Sequence, residues 1–137
     1  MTTDFAAASA DITDLLGLST APLGISFHAG PVEGVDAYGG TYPAQTDGGR
    51  TGAVPAGCVF WVKAADRTFS TVAEDHGNCS VGSLTHGFRT LDEVGGNEDV
   101  AALVGAEWVS PEMFPQIPVV KEKPGAVVYG PLGDAAV

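Results

Sequence analysis

The stretch from which the fold is predicted is Ala73–Phe88, AEDHGNCSVGSLTHGF. It contains one of the two cysteines of the chain and two of its three histidines. The preceding residues, Thr68–Val72, are β-branched or aromatic and partly alternating, which is typical of a strand. Ser80–Phe88 has the length of a short helix. The order of strand, polar turn and helix start places Cys79 near unpaired backbone N–H groups, which favour a thiolate over a thiol.

Short helical and strand patterns flank this stretch on both sides. Apolar residues at helical spacing predict a first helix over Asp4–Leu18, and alternation predicts strands at Leu23–His28 and Ala126–Tyr129. The apolar run in Pro55–Asp66 fits a buried helix or a buried strand, and we favour the helix. Because helices and strands do not alternate strictly, the sequence predicts an α+β fold, a single compact domain over residues 1–137 with a small mixed sheet and several short helices.

Capping signals and loop composition complete the prediction. Thr90 and Glu93 match a capping box, Asn97 is a further helix cap, and Ser110-Pro111 begins another short helix. Gly30–Gly52 is rich in glycine, proline, Asp and Thr and has no period, so it predicts a long loop.

The net charge is −11, from six basic and seventeen acidic residues. Repulsion from phosphate makes nucleic acid and anionic membrane surfaces unfavourable partners. No apolar run reaches the roughly 20 residues that span a bilayer, and the acidic start Met1–Asp4 lacks the basic region of a signal peptide. We therefore expect a soluble cytoplasmic protein, in which two cysteines are too few for a disulfide framework.

Three residues are candidate ligands of a soft metal ion: Cys58, Cys79 and His76. Two thiolates suit Cu(I), Zn(II) or part of an iron–sulfur cluster, and His76 would be a third ligand. His86 lies seven positions after Cys79, which is roughly 10 Å along a helix, so the two share an ion only if the helix begins later or breaks at Gly82. We expect Cys58 and Cys79 to lie close together.

Two other functions remain open for the same residues. In a cysteine-dependent enzyme, Cys79 would be the nucleophile and His76 or His86 the base, with a depressed thiol pKa that depends on His76. In a non-catalytic subunit that binds a small molecule, both cysteines would be structural and His86 a helix-end histidine stabilised by the dipole. Gly82 and Ser83 are the candidate cofactor-binding residues, and Ser83 is expected to share a pocket wall with Cys79 and His86.

Several segments carry a resemblance to a known family. They are CVFWVKAA (Cys58–Ala65), FST (Phe69–Thr71), EDHGNCSVGS (Glu74–Ser83), THG (Thr85–Gly87), DLLGL (Asp14–Leu18), APLGI (Ala21–Ile25) and YGPL (Tyr129–Leu132). With them the chain resembles the domain-of-unknown-function family numbered 169, also called ArCR. The resemblance marks the two cysteines and implies no reaction. Members of that family are longer, which implies that this chain corresponds to their N-terminal half or to a short member, and we expect a homodimer or a partner chain.

Overall fold

The computed structural model describes residues 3–39, 41–42, 54–55, 60–76, 80–95, 105, 110–116, 120–132 and 134. Proximity of Cα atoms groups the chain into two compact units, each assembled from separate segments. The first unit combines Met1–Gly39, Val59–Val72 and Gly125–Val137, and the second combines Gly40–Cys58 and Ala73–Pro124. A single domain over residues 1–137 stays a prediction.

The described elements mix short helices with short strands, which confirms the predicted α+β class. The α-helices are α1 (Phe5–Leu16), α2 (Phe60–Ala64), α3 (Ser80–Thr85) and α4 (Leu91–Gly95). Two 3₁₀ helices span Ala73–His76 and Pro111–Gln116. The strands are β1 (Leu23–His28), β2 (Thr41–Tyr42), β3 (Val54–Pro55), β4 (Phe69–Thr71) and β5 (Ala126–Pro131).

The first unit is built on an antiparallel sheet with the strand order β1-β5-β4. The central strand β5 is buried along nearly its whole length, and its Val-Val-Tyr core has the β-branched and aromatic composition that suits a strand. Tyr129 pairs with Ile25 on one side and with Phe69 on the other. The sequence predicts a mixed sheet, with both parallel and antiparallel pairing. Among the described residues, the parallel pairing is one isolated bridge between Ala37 and Ser70.

The core of this unit is a cluster of four aromatic side chains, which we call the aromatic cluster: Tyr38, Phe60, Phe69 and Tyr129. Phe69 lies 5.0 Å from Tyr38 and 5.7 Å from Tyr129 between ring centroids, and Phe60 lies 5.5 Å from Tyr129. These separations are within the range at which aromatic pairs attract beyond simple burial. The cluster therefore fixes α2 onto the face of the sheet that β4 and β5 share.

The helix α1 is delimited by local signals that the sequence contains. The Asp4 side chain accepts a hydrogen bond from the Ala7 amide at 3.0 Å, and Gly17 ends the helix in the left-handed region at φ 61°. The apolar side of α1 is only partly covered, with Leu15 84% and Leu16 69% exposed. Among the described residues, no helix has the length and apolarity needed to cross a membrane.

Two predicted elements differ in the structure. Thr41–Tyr42 pairs antiparallel with Val54–Pro55, so the segment predicted as one long loop contains a strand and Pro55 belongs to a strand instead of starting a helix. Within the described residues, α2 is the part of the predicted Pro55–Asp66 segment that is helical. A proline that lacks a donor is tolerated in a short two-stranded ribbon, where neighbouring pairing is not required.

The predicted capping box at α4 is confirmed. The Thr90 amide donates to a Glu93 carboxylate oxygen at 2.6 Å, and the Glu93 amide donates to the Thr90 hydroxyl at 3.3 Å. The Thr90 amide, followed by the Thr90 hydroxyl, lowers the pKa of Glu93, because hydrogen bonds from these groups to the carboxylate favour its charged form. The segment that contains the predicted cap Asn97 lies outside the described residues.

Candidate functional site

Two short helices of the second unit carry the candidate site. The 3₁₀ helix Ala73–His76 ends at His76, and α3 begins at Ser80. The Ser83 hydroxyl donates a hydrogen bond of 2.8 Å to the backbone carbonyl of His76, and Ser83 is fully buried. This hydrogen bond attaches the end of the 3₁₀ helix to α3.

The C-terminus of α3 is closed by a Schellman motif. The Phe88 amide donates to the Ser83 carbonyl at 2.9 Å, and the Gly87 amide donates to the Leu84 carbonyl at 3.0 Å. Gly87 adopts φ 75°, the left-handed conformation that the motif requires and that glycine adopts without strain. The helix therefore ends at Thr85 and not at Phe88 as predicted, and the turn brings Phe88 to within 4.8 Å of His76 between ring centroids.

The two helices place His76 and His86 side by side as a buried pair. Their ring centroids are 5.0 Å apart with an interplanar angle of 41°. His76 is 2% exposed and His86 is 8% exposed. Phe88 lies against His76 and is stacked on His86 at 6.5 Å, so the His76–His86 pair has an apolar wall.

Burial keeps both imidazoles neutral at neutral pH. Desolvation, followed by the charge of His86, lowers the pKa of His76 from 6.5 to about 3. Desolvation also lowers the pKa of His86, although its hydrogen bond to the Gly82 carbonyl acts in the opposite direction. His86 directly follows the last residue of α3, as predicted for a helix-end histidine, and its hydrogen bond to the Gly82 carbonyl favours the charged ring, but desolvation outweighs it. Stabilisation of a protonated His86 by the helix dipole stays a prediction.

The tautomer of His86 follows from its hydrogen bonds. Its Nδ1 lies 2.8 Å from the Gly82 carbonyl oxygen and 3.3 Å from the Thr85 hydroxyl. A carbonyl oxygen only accepts, so Nδ1 carries the hydrogen. In the neutral ring, Nε2 is then the nitrogen with the lone pair, which is the atom that acts as a base or as a metal ligand.

The structure brings together four of the candidate residues that the sequence singles out: His76, His86, Gly82 and Ser83. Gly82 and Ser83 act through their hydrogen bonds to the two histidines. Phe88 is not among the candidate residues predicted from the sequence, although its place directly after Gly87 is a signal for the C-terminal contact of a Schellman motif. His28 belongs to the other unit, where its Nε2 lies 2.8 Å from the Ser26 hydroxyl.

Both cysteines, Cys58 and Cys79, lie outside the described residues, so their proximity and the pKa of Cys79 stay predictions. Within the part of the chain that is described, no group of three or more His, Cys, Asp or Glu side chains is placed to hold a metal ion. Of the three metal ligands predicted from the sequence, His76 is therefore the one that lies among the described residues.

Comparisons with family models, with curated proteins and with solved structures found no match for this chain. The resemblance to the domain-of-unknown-function family 169 therefore stays a prediction.

Proposed function

We propose that the chain binds a soft metal ion, Zn(II) or Cu(I), through His76 and His86 together with thiolates from Cys79 and Cys58. The observation that carries this proposal is the His76–His86 pair. Two imidazoles and two thiolates form a common closed donor set for tetrahedral zinc, and the same count of donors serves a Rieske-type [2Fe–2S] cluster. The contribution of the cysteines rests on the sequence.

The separation of the two rings supports a shared ion. Imidazoles that bind one tetrahedral metal at Zn–N distances of about 2.0–2.1 Å have their ring centroids roughly 5 Å apart. The His76 and His86 centroids are 5.0 Å apart. This separation is compatible with both rings binding one ion.

The protonation state of the pair gives further support. A metal binds the neutral imidazole, and a ligating histidine commonly donates its other ring N–H to a backbone carbonyl. His86 makes such a hydrogen bond to Gly82. The net charge of −11 attracts cations to the chain. We place the protein in the cytoplasm, where cysteines stay reduced and available as ligands.

The alternative of a cysteine-dependent enzyme is less well supported. An activated Cys79 needs a positive partner or a good base, and His76, with a pKa lowered to about 3, provides neither at neutral pH. Rapid alkylation of Cys79 in the metal-free protein at pH 7, lost in His86→Gln, would favour the enzyme. A non-catalytic subunit that binds a small molecule stays a further prediction.

The proposal is tested by titrating Co(II) into the reduced, metal-free protein without oxygen. We expect one equivalent to bind with the intense visible bands of tetrahedral cobalt and a thiolate-to-cobalt charge-transfer band in the near ultraviolet. Zn(II) should displace the cobalt. Iron and sulfide analysis of protein purified without oxygen decides between a single ion and a cluster.

Single substitutions assign the ligands in this titration. His76→Gln and His86→Gln should each weaken binding at least tenfold, and Cys79→Ser should weaken it and reduce the charge-transfer band. The matched control is His28→Gln, which removes a histidine of the other unit and should leave the titration unchanged. A wild-type protein that binds no stoichiometric cobalt or zinc would contradict the proposal.

We also infer that a second copy or a partner chain covers the apolar side of α1. Large apolar side chains at the surface favour association, and Leu15 and Leu16 are more than two thirds exposed. Light scattering at micromolar concentration should give the mass of a dimer, and Leu15→Lys should shift that mass toward the monomer. A monomeric wild-type protein would contradict the expectation of a homodimer.

A further inference from the structure

Two neighbouring residues of α3, Gly82 and Ser83, each form a hydrogen bond with one of the two histidines. The Gly82 carbonyl accepts from the His86 ring at 2.8 Å. The Ser83 hydroxyl donates to the His76 backbone carbonyl at 2.8 Å. We propose that these two groups are positioning groups that present the Nε2 atom of His86, beside an anchored His76, to the metal. This inference rests on the proposed function and names the atom through which His86 binds.

His86 is the first residue after α3, and its backbone amide still donates to the Gly82 carbonyl at 3.1 Å. Gly82 lies four residues earlier, one helical turn back. Because α3 ends at Thr85, His86 lies in the turn, and its ring approaches the Gly82 carbonyl with Nδ1 at 2.8 Å. The bond fixes the hydrogen on Nδ1 and leaves the lone pair on Nε2.

Ser83 satisfies a backbone carbonyl that burial hides from water. Ser83 is fully buried and His76 is 2% exposed, so the carbonyl of His76 has little access to water. An unsatisfied buried carbonyl is costly, and the Ser83 hydroxyl satisfies it. The Ser83 hydroxyl therefore anchors the backbone of His76 to the same short helix that His86 follows directly.

The experiment has two readouts on the wild-type protein and on Ser83→Ala. Long-range ¹⁵N–¹H NMR of the metal-free protein reports the tautomer of His86, and we expect hydrogen on Nδ1. On addition of Zn(II), the ¹⁵N shift of Nε2 should move to the range of a metal-bound nitrogen while Nδ1 keeps its hydrogen. A residue that only stabilises the fold does not determine which ring nitrogen binds.

The second readout is the affinity for Zn(II), measured by competition with a chelator. Ser83→Ala should weaken binding 10- to 100-fold, which is typical when a group behind a metal ligand is lost, with unchanged stoichiometry. Ser83→Thr, which keeps the hydroxyl, should recover most of the affinity. The matched control is Ser70→Ala, which removes a hydroxyl from another buried serine, one that donates to the Asp36 carbonyl in the first unit, and it should leave the affinity unchanged.

The outcomes separate this inference from the proposed function. Zinc bound through Nδ1 of His86, or Ser83→Ala with wild-type affinity, overturns the inference while metal binding stands. A wild-type protein that binds no zinc overturns the proposed function and, with it, the role of Ser83 toward a metal. If the NMR spectrum of the metal-free protein shows the hydrogen of the His86 ring on Nε2, the tautomer assigned to His86 is wrong as well.

Discussion

Acidification of the metal-free protein from pH 7 to pH 5 is expected to lower its free energy of unfolding by about 2 kcal/mol through His76 alone. His76 is buried beside His86 and Phe88, and burial lowers its pKa to about 3. In the unfolded chain the same ring has the ordinary pKa of 6.5. His86 contributes in the same direction, because its pKa is also lowered.

The sign follows from the protons that each state binds. Below pH 6.5 the unfolded chain takes up a proton at His76, while the folded protein does not do so until the pH approaches 3. The unfolded state therefore binds more protons throughout this window, and the free energy of unfolding falls with decreasing pH by up to about 1.4 kcal/mol per pH unit for each such histidine. Carboxylates such as Glu93, whose pKa is lowered, add a loss only in more acidic solution, so the interval from pH 7 to pH 5 isolates the histidines.

The measurement is urea unfolding at several pH values in the presence of a chelator. His76→Gln should reduce the slope of the unfolding free energy against pH, whatever its effect on absolute stability. His28→Gln, which leaves the His76–His86 pair intact, is the matched control and should keep the contribution of the pair. Direct NMR titration of the wild-type ring decides the point independently, and a His76 midpoint near 6.5 would contradict the burial argument.

The sequence identified the residues of the candidate site but not their arrangement. His76, Gly82, Ser83 and His86 are conspicuous because they are chemically versatile and close together in the chain. Their arrangement depends on a 3₁₀ helix that ends at His76 and on a left-handed Gly87 that ends α3 early. Whether a short polar segment forms a 3₁₀ helix depends on the surface against which it packs. That surface is formed by residues distant in the sequence, so the local sequence does not predict it.

The same distinction applies to the fold: features set by local contacts were predictable, and features set by contacts between distant segments were not. The Asp4 cap, the Gly17 stop and the Thr90–Glu93 capping box were predictable, because each depends on hydrogen bonds between residues three or four positions apart. The sheet order was not predictable, because β5 pairs with β1 from the opposite end of the sequence and with β4 from its middle. Which strands pair depends on burial of the aromatic cluster as a whole, which no single segment encodes.

Removal of one ring from the aromatic cluster is expected to destabilise the protein strongly. Phe69→Ala should lower the free energy of unfolding by about 3–5 kcal/mol, the usual cost of deleting a fully buried aromatic side chain. Phe69 is 0% exposed, lies between Tyr38 and Tyr129, and has the Arg67 guanidinium 5.2 Å from its ring centroid. The surrounding rings are rigid and belong to three other segments, so the cavity cannot close fully and its cost adds to the lost burial.

Phe27→Ala is the matched control, because it deletes the same ring from the same face of the same sheet. Phe27 pairs with Val127 on the edge strand β1 and is 45% exposed, so its removal should cost about half as much or less, in proportion to the area that it buries. Urea unfolding followed by tryptophan fluorescence and by circular dichroism measures both variants. If Phe69→Ala does not fold, Phe69→Leu keeps most of the volume and should show a smaller loss. Equal losses at the two positions would contradict the core described here, because they would mean that the stabilising contacts of the sheet extend evenly to its β1 edge instead of being concentrated where β4 and β5 meet α2.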